Sequence, residues 1–535
     1  MRSTTFHTES NKKEAEIETV GMAPTFCSRC GDAVEEGCDP WDELAELDAL
    51  LERLRLKRYD LKRKINRLHS PIVRQLPPDI TSTIFEFCLP DFTDHPLSYF
   101  TKEDLSIPLS LGAICSYWRD TAWSTPSLWS SLVVRVTSKH DSHTATGIAR
   151  EWLARSGQLP LSIRVLSFYN NYNKAVSALA DIINQYSTRW SDLELCMPPH
   201  CYQHFHAIDN HAPKLKSIRF HCSAHAMNLN FQLNCPRLEK ASLSNFPMDG
   251  TNIQLDNLTH LTLHSMSILR AFLILRKTPR LVFCKVSGSR PGHRGPSNMA
   301  NIGAPVLTSL RSLQLLSLIT SFSEDFLDNL IAPHLEEFTL PRYYNPSMEV
   351  ITHFLRKSAC SLRSFSMTFS VFPPYFESLI NLLQSMPSLN TLSIRTLENT
   401  APRDYDPQNI LQLVAKVLSS QSSSFQQGFL PNLKILDYTG ELRLRPGNYG
   451  DLYSLPPADN AVRGSLHLLK LDLHPATRIP KNMISYLSSL AERGVTVNVL
   501  SNSEDILQSS IDYYRCRQDS SCQNWIDNFD SSLFS

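Results

Sequence analysis

Apolar residues recur along this chain with two different periods, and each predicts its own kind of structure. From Leu44 onward they fall at Leu47, Leu51, Leu54, Leu61, Ile65 and Leu68, in steps of three and four, with Arg58 alone breaking the seam. That is a heptad helix, and Pro71 stops it. It suits either an amphipathic helix lying on the next domain or a short coiled coil joining two copies. A second helical pattern runs through Ile80, Ile84, Phe87 and Cys88 behind Pro78, a residue suited to a first helical turn. After a loop from Pro90 to Pro108, a third stretch from Leu109 to Trp123 sets Leu111, Ile114, Cys115, Trp118 and Ala122 along one face. A compact unit of three short helices is expected here. So small a unit leaves part of its large apolar surface exposed unless something covers it.

From about Trp190 the period lengthens. The segments LKSIRF at Leu215, LEKASL at Leu238, LTHLTL at Leu258, LVFCKV at Leu281 and LRSLQL at Leu310 share the pattern L-x-x-L-x-L. So do LEEFTL at Leu335, LRSFSM at Leu362, LNTLSI at Leu389, LKILDY at Leu433 and LHLLKL at Leu466, while WSDLEL at Trp190 is a degenerate copy. Most steps span 20 to 29 residues, the period of leucine-rich repeats. Each copy predicts a short strand and a return segment, helical where long enough, as in LRAFLILRK, EDFLDNLI, FESLINLLQ, NILQLVAKVL and NMISYLSSLAE. The inserts GSRPGHRGPSNMANIG, QSSSFQQG and RPGNYGDLYSLPPADN read as loops. The fold class is therefore α/β, a helical N-terminal part followed by parallel strands with return helices. Its expected divisions are 1–40 as a disordered tail, 41–70 as the heptad helix, 71–132 as the helical module, 133–500 as the repeat solenoid and 501–535 as a capping helix and tail.

Composition narrows what such a chain does. Lys plus Arg and Asp plus Glu number 52 each, so no global field recruits nucleic acid or an anionic membrane. The N-terminal sequence has no leader-like apolar run, and no eighteen apolar residues follow one another; the expectation is a soluble protein of the cytoplasm or nucleus. The thirteen cysteines are thinly spread, and Cys88, Cys115 and Cys284 lie in apolar patterns, as reduced core thiols do. Cys27, Cys30 and Cys38 have zinc-like spacing but lack a nearby fourth ligand. The cluster Cys196, His200, Cys201, His204, His206 and His211 is broken by Pro198 and Pro199 and reads as a turn between repeats. The chain has no phosphate loop, zinc-protease motif, calcium loop or nucleophile elbow. No catalytic residue, metal site or cofactor is expected.

The helical module carries a resemblance. LPPDI at Leu76, then Ile114-Cys115 followed by Trp118-Arg119, then the closing TPSLWSSL are similar to the F-box pattern in the form common among mushroom-forming fungi. The long loop from Pro90 to Pro108 departs from it. The resemblance implies that Leu76, Pro77, Ile80, Ile84, Ile114, Cys115, Trp118, Leu128 and Trp129 form a face that docks on the Skp adaptor of a cullin-RING ubiquitin ligase. The chain would then be that ligase's non-catalytic substrate-recognition subunit, its repeats binding the target protein. A repeat scaffold that binds the adaptor or other partners without ubiquitin transfer is the alternative.

In an L-x-x-L-x-L strand the third and fifth positions and the one after the motif point away from the core. Over the copies from Leu215 to Leu281 these positions include Arg219, His221, Lys240, His260, His264 and Lys285 and hold no acidic residue. Such a concave face is expected to take an acidic or phosphorylated segment of the target.

Overall fold

The computed structural model describes residues 40–69, 75–90, 101, 104, 106–136, 141–167, 173–223, 229–247, 250–288, 304–316, 318, 320–340, 347–369, 376–396, 429–440, 466–473, 479, 481–492, 494–501 and 504–516. The cysteine-bearing tail, the helix expected at NILQLVAKVL, most of the Pro90–Pro108 loop and of the three inserts, and the residues after Cys516 lie outside them. The chain divides into two compact units, Met1–Trp123 and Ser124–Ser535.

In the first unit the heptad pattern forms one helix, Pro40–His69. The helix Pro78–Phe87 begins on Pro78 and buries Phe85. Two further helices follow, Ile107–Ile114 and Ser116–Ser124. They are separate because Cys115 between them is fully extended, at φ −158° and ψ 171°. The core of this unit is aromatic: Phe85 packs on Trp118 with ring centroids 4.8 Å apart, and the Tyr117 hydroxyl donates to the Leu76 carbonyl at 3.3 Å. A Cβ at Gly112 would fall inside the ring of Trp123. Glycine there lets the two helices approach.

The second unit is a ladder. Its strands are β1 (Ser131–Arg135), β2 (Leu161–Leu166), β3 (Trp190–Met197), β4 (Ser217–Cys222), β5 (Phe231–Leu233), β6 (Lys240–Ser244), β7 (Thr251–Ile253) and β8 (His260–His264). They continue as β9 (Phe283–Ser287), β10 (Ser312–Leu316), β11 (Glu337–Thr339), β12 (Ser364–Phe369), β13 (Thr391–Thr396), β14 (Ile435–Gly440), β15 (Leu468–Leu473), β16 (Thr496–Ser501) and β17 (Glu504–Asp505). Among the described residues all but β5 and β7 form one 15-stranded sheet in chain order, parallel throughout except for the β16–β17 pair. The first leucine of every copy, from Leu215 to Leu466, is buried, as are Leu243, Leu263, Leu315 and Leu471 further along their strands. One repeat cannot bury such a face alone, but the stack does.

Return segments follow length. After β8, β10, β12 and β15 they hold the helices Ile268–Leu275, Thr320–Asp328, Phe376–Gln384 and Lys481–Glu492, where the sequence predicts them. A further helix, Met348–Ser358, follows β11. The shorter returns after β4 and β6 are instead the strands β5 and β7, which pair with each other. The helix Ile506–Cys516 follows the ladder's last strand.

Most copies are also preceded by the same turn, in which the first leucine's N–H donates to the carbonyl three residues earlier. It joins Leu215 to Ala212, Leu238 to Cys235, Leu281 to Thr278, Leu335 to Ala332, Leu389 to Met386 and Leu433 to Leu430. Proline occupies the second place of each of these turns, where its fixed φ suits a type I or II turn.

Candidate functional site

The outer face of the sheet is the first candidate. Strand register sets Lys240, His260 and Phe283 side by side in one row, Glu194, Arg219, Ser242, Thr262 and Lys285 in the next, and Cys196, His221, Ser244, His264 and Ser287 in a third. The six residues expected on this face are thus brought together on four neighbouring strands. Its electrostatics differ from the expectation. Glu194 on β3, outside the copies from which the face was read, lies 3.7 Å from the Arg219 guanidinium and 3.6 Å from that of Arg164 on β2. Arg219 therefore already faces a carboxylate of this chain. Neighbouring strands sit about 4.8 Å apart, so a side chain's charge partner comes from the adjacent repeat, not from its own.

The sheet disfavours the charged forms of His260 and His264. Burial holds His264 below the ordinary histidine value of 6.5, with Lys285 and His221 pushing the same way. Burial also lowers His260, helped by Lys240 and opposed by Glu239. His264 Nδ1 hydrogen-bonds the Ser287 hydroxyl, and His260 stacks on Phe283 at 5.8 Å. For a histidine lowered in the fold, the stability present above its unfolded value is lost as pH falls through the folded one.

Glu194 stands between Arg164 and Arg219 in its row. Burial raises its carboxyl and outweighs the opposing pull of Arg164 and Arg219. The Arg164 side chain is 7 % exposed, so removing Glu194 takes a carboxylate away from a buried guanidinium. Glu194→Ala is expected to cost about 2–3 kcal/mol, between the values for exposed and for buried pairs. Glu194→Gln, which keeps an acceptor in the same volume, costs less. Urea denaturation of the two variants checks this, and an unchanged midpoint for the alanine variant would count against it.

The apolar face of the helical unit is the second candidate. Ile80, Ile84 and Phe87 lie at helical spacing on one side of Pro78–Phe87 and are 49 %, 43 % and 86 % exposed; Ile114 is also exposed. Pro77 is exposed, whereas Leu76, Cys115 and Trp118 are half-buried. Trp118 turns its ring to Phe85, and its backbone N–H donates to the Cys115 sulfur at 3.5 Å.

Two residues expected on this face are elsewhere. Leu128 and Trp129 belong to the second unit and are buried there. Trp129 meets Trp152 edge-on at 4.8 Å, and the Arg155 guanidinium lies over its ring at 5.0 Å. The reason is local. The turn Pro126–Trp129 leads into β1, so its large apolar side chains pack into the first layer of the ladder.

The His and Cys cluster resolves into short turns, Pro199–His204 and Ile208–Asn210. Tyr202 anchors them: it is buried against Phe220, Phe231 and Phe246, with its hydroxyl donating to the Leu195 carbonyl at 2.8 Å. Burial pushes the Cys196 and Cys201 thiols up to about 11, so neither is a ready thiolate ligand. Among the described residues no group of three His, Cys, Asp or Glu side chains could hold a metal ion. The described cysteines are free thiols, and Cys88, expected in a core, is exposed at its helix end.

No family model and no curated protein matches the chain. A solved structure it is similar to is that of TLR13 in complex with ssRNA13, at 15 % identity and a TM-score of 0.30, covering 66 % of this chain and 51 % of that one. The chain thus spans about half the length of that protein. At that score the likeness adds nothing to the repeat architecture, which stands on the ladder of strands and its buried leucines. Among the described residues no helix is long and apolar enough to cross a membrane.

Proposed function

We propose that this chain is a substrate-recognition subunit of a cullin-RING ubiquitin ligase, in which the helical unit docks on the Skp adaptor and the outer face of the sheet holds the target protein. The observation that carries the reading is the exposed row Ile80, Ile84 and Phe87 on a helix whose other side is closed by Phe85 and Trp118. Interfaces draw most of their energy from a few such apolar anchors entering pockets. The F-box resemblance of LPPDI and of Ile114-Cys115-x-x-Trp118-Arg119 points to the same partner. On this reading the chain performs no bond chemistry. It raises the effective concentration of a target beside the ubiquitin-transferring subunits.

At neutral pH the target face draws its positive charge from Lys240, Lys285 and Arg219, the last shared with Glu194, which fits an acidic or phosphorylated segment. The test is affinity purification of the full chain from its native host. Adaptor and cullin together support the ligase reading. Adaptor without cullin replaces it with a non-degradative scaffold, and the absence of both removes the adaptor assignment.

A further inference from the structure

The helix Pro40–His69 carries an apolar seam that the described residues leave uncovered. Leu44, Leu47, Leu51, Leu54, Leu61 and Ile65 are each 47 to 55 % exposed. Charge along the same helix is segregated. Its stretch 43–53 holds Glu43, Glu46, Asp48 and Glu52 with Arg53 as the exception, and its stretch 55–64 holds Arg55, Lys57, Arg58, Lys62, Arg63 and Lys64 with Asp60 as the exception. The helix dipole favours that polarity, but its influence ends within the first and last turns. It does not account for Asp48, Glu52, Arg55 and Lys57 in the middle. The ion pair within the helix between Glu52 and Arg55, at 3.6 Å, is highly exposed and worth little.

We propose that this helix pairs with the same helix of a second copy in antiparallel orientation, in the register that sets Leu51 against the partner's Leu54. Leu44 then packs on the partner's Leu61, and Leu47 on the stem of the partner's Arg58, whose charged end reaches water. Flanking the seam, Glu43 faces the partner's Lys64 and Asp48 faces the partner's Arg55. Two-fold symmetry repeats each pair. The competing arrangements bring like charges together. A parallel coiled coil sets Glu43 beside the partner's Asp48 and Lys57 beside the partner's Lys62. An antiparallel register one heptad longer puts Arg55 opposite the partner's Arg55 and Lys57 opposite the partner's Lys57. Charge complementarity therefore selects both the occupant and its direction. The inference is independent of the ligase reading, since it uses neither the adaptor face nor the sheet.

Sedimentation equilibrium of the full chain tests it. The native chain is expected at twice its own mass. Arg55→Glu with Lys64→Glu converts both flanking pairs to like charges and is expected to weaken the dimer by roughly 30-fold, which is about 2 kcal/mol shared among the symmetry-related pairs. Adding Glu43→Lys and Asp48→Lys to the same chain swaps both sides and is expected to restore the dimer. In a parallel dimer neither Arg55 nor Lys64 faces an opposite charge across the seam, so the first variant leaves the association unchanged. The fourfold variant then merely exchanges one like-charged pair for another. A monomeric native chain, a dimer indifferent to the double reversal, or a failure of the fourfold swap to restore association would each overturn the proposal. Circular dichroism of every variant, with unchanged helical content, separates loss of pairing from loss of the helix.

Discussion

Trp129→Ala is expected to lower the stability of the repeat unit by about 3–5 kcal/mol, the range for truncating a fully buried large aromatic. Burial and two contacts set the size of the effect. The ring is 0 % exposed, its edge contact with Trp152 contributes beyond simple burial, and the Arg155 guanidinium rests over its face. Trp152 is itself tied to β1 through its indole N–H, which donates to the Ser131 carbonyl at 3.0 Å. A cavity at Trp129 therefore loosens the strand that begins the sheet. In a stacked repeat each layer is held only by its neighbours, so the first strands open before the rest. Trp129→Phe keeps the apolar body and should cost clearly less. Urea denaturation followed by far-ultraviolet circular dichroism measures both; an alanine variant as stable as the native chain would mean that Trp129 is not part of this core.

Replacing Ile80 and Ile84 with Asp is expected to do the opposite, leaving stability within about 0.5 kcal/mol while weakening capture of a purified Skp-type adaptor by roughly 100-fold or more. Both side chains are nearly half exposed, so neither change opens a cavity. Two carboxylates on a docking face would have to lose their water on binding, with no cation to meet them in an apolar pocket. Isothermal titration calorimetry gives the affinity, and the denaturation midpoint is the control. Unchanged affinity in a stable double variant would remove Ile80 and Ile84 from the proposed interface. Trp129→Ala supplies the contrast, since the structure puts that residue in the repeat unit's core.

Much of the ladder was legible in the amino-acid order because its signal is redundant. Ten copies of L-x-x-L-x-L each place a leucine where only a shared core can hide it, and every first leucine of those copies is buried. The prolines two residues before the first leucine of six copies took their meaning only from the structure, through the hydrogen bond that closes a turn on each leucine. Strands β1 and β2 are harder to see, for SLVVR lacks the motif's leading leucine, LSIRVL sets Arg164 where the motif's second leucine is due, and the returns after them are the long helices Asp141–Arg155 and Asn173–Asn184. Without those strands, Trp129 falls to the helical module. Similarly, Leu109–Trp123 reads as one helix because apolar periodicity runs across Cys115, and an extended residue leaves no mark in that pattern.

Charge pairing on the outer face was beyond the sequence for a different reason. Glu194 and Arg219 belong to successive repeats, and nothing in their local spacing joins them; parallel register alone sets them opposite each other. By itself, then, the sequence determined which side chains are buried in the repeats, because burial follows a short local period repeated many times. It also determined the seam and the charge polarity of the first helix, both local patterns on heptad spacing. Tertiary structure alone decided where the repeat unit begins, that Trp129 lies inside it, and that Arg219 shares Glu194 with Arg164. Those outcomes depend on which strand comes to lie beside which, and that is fixed only when every layer packs on the next.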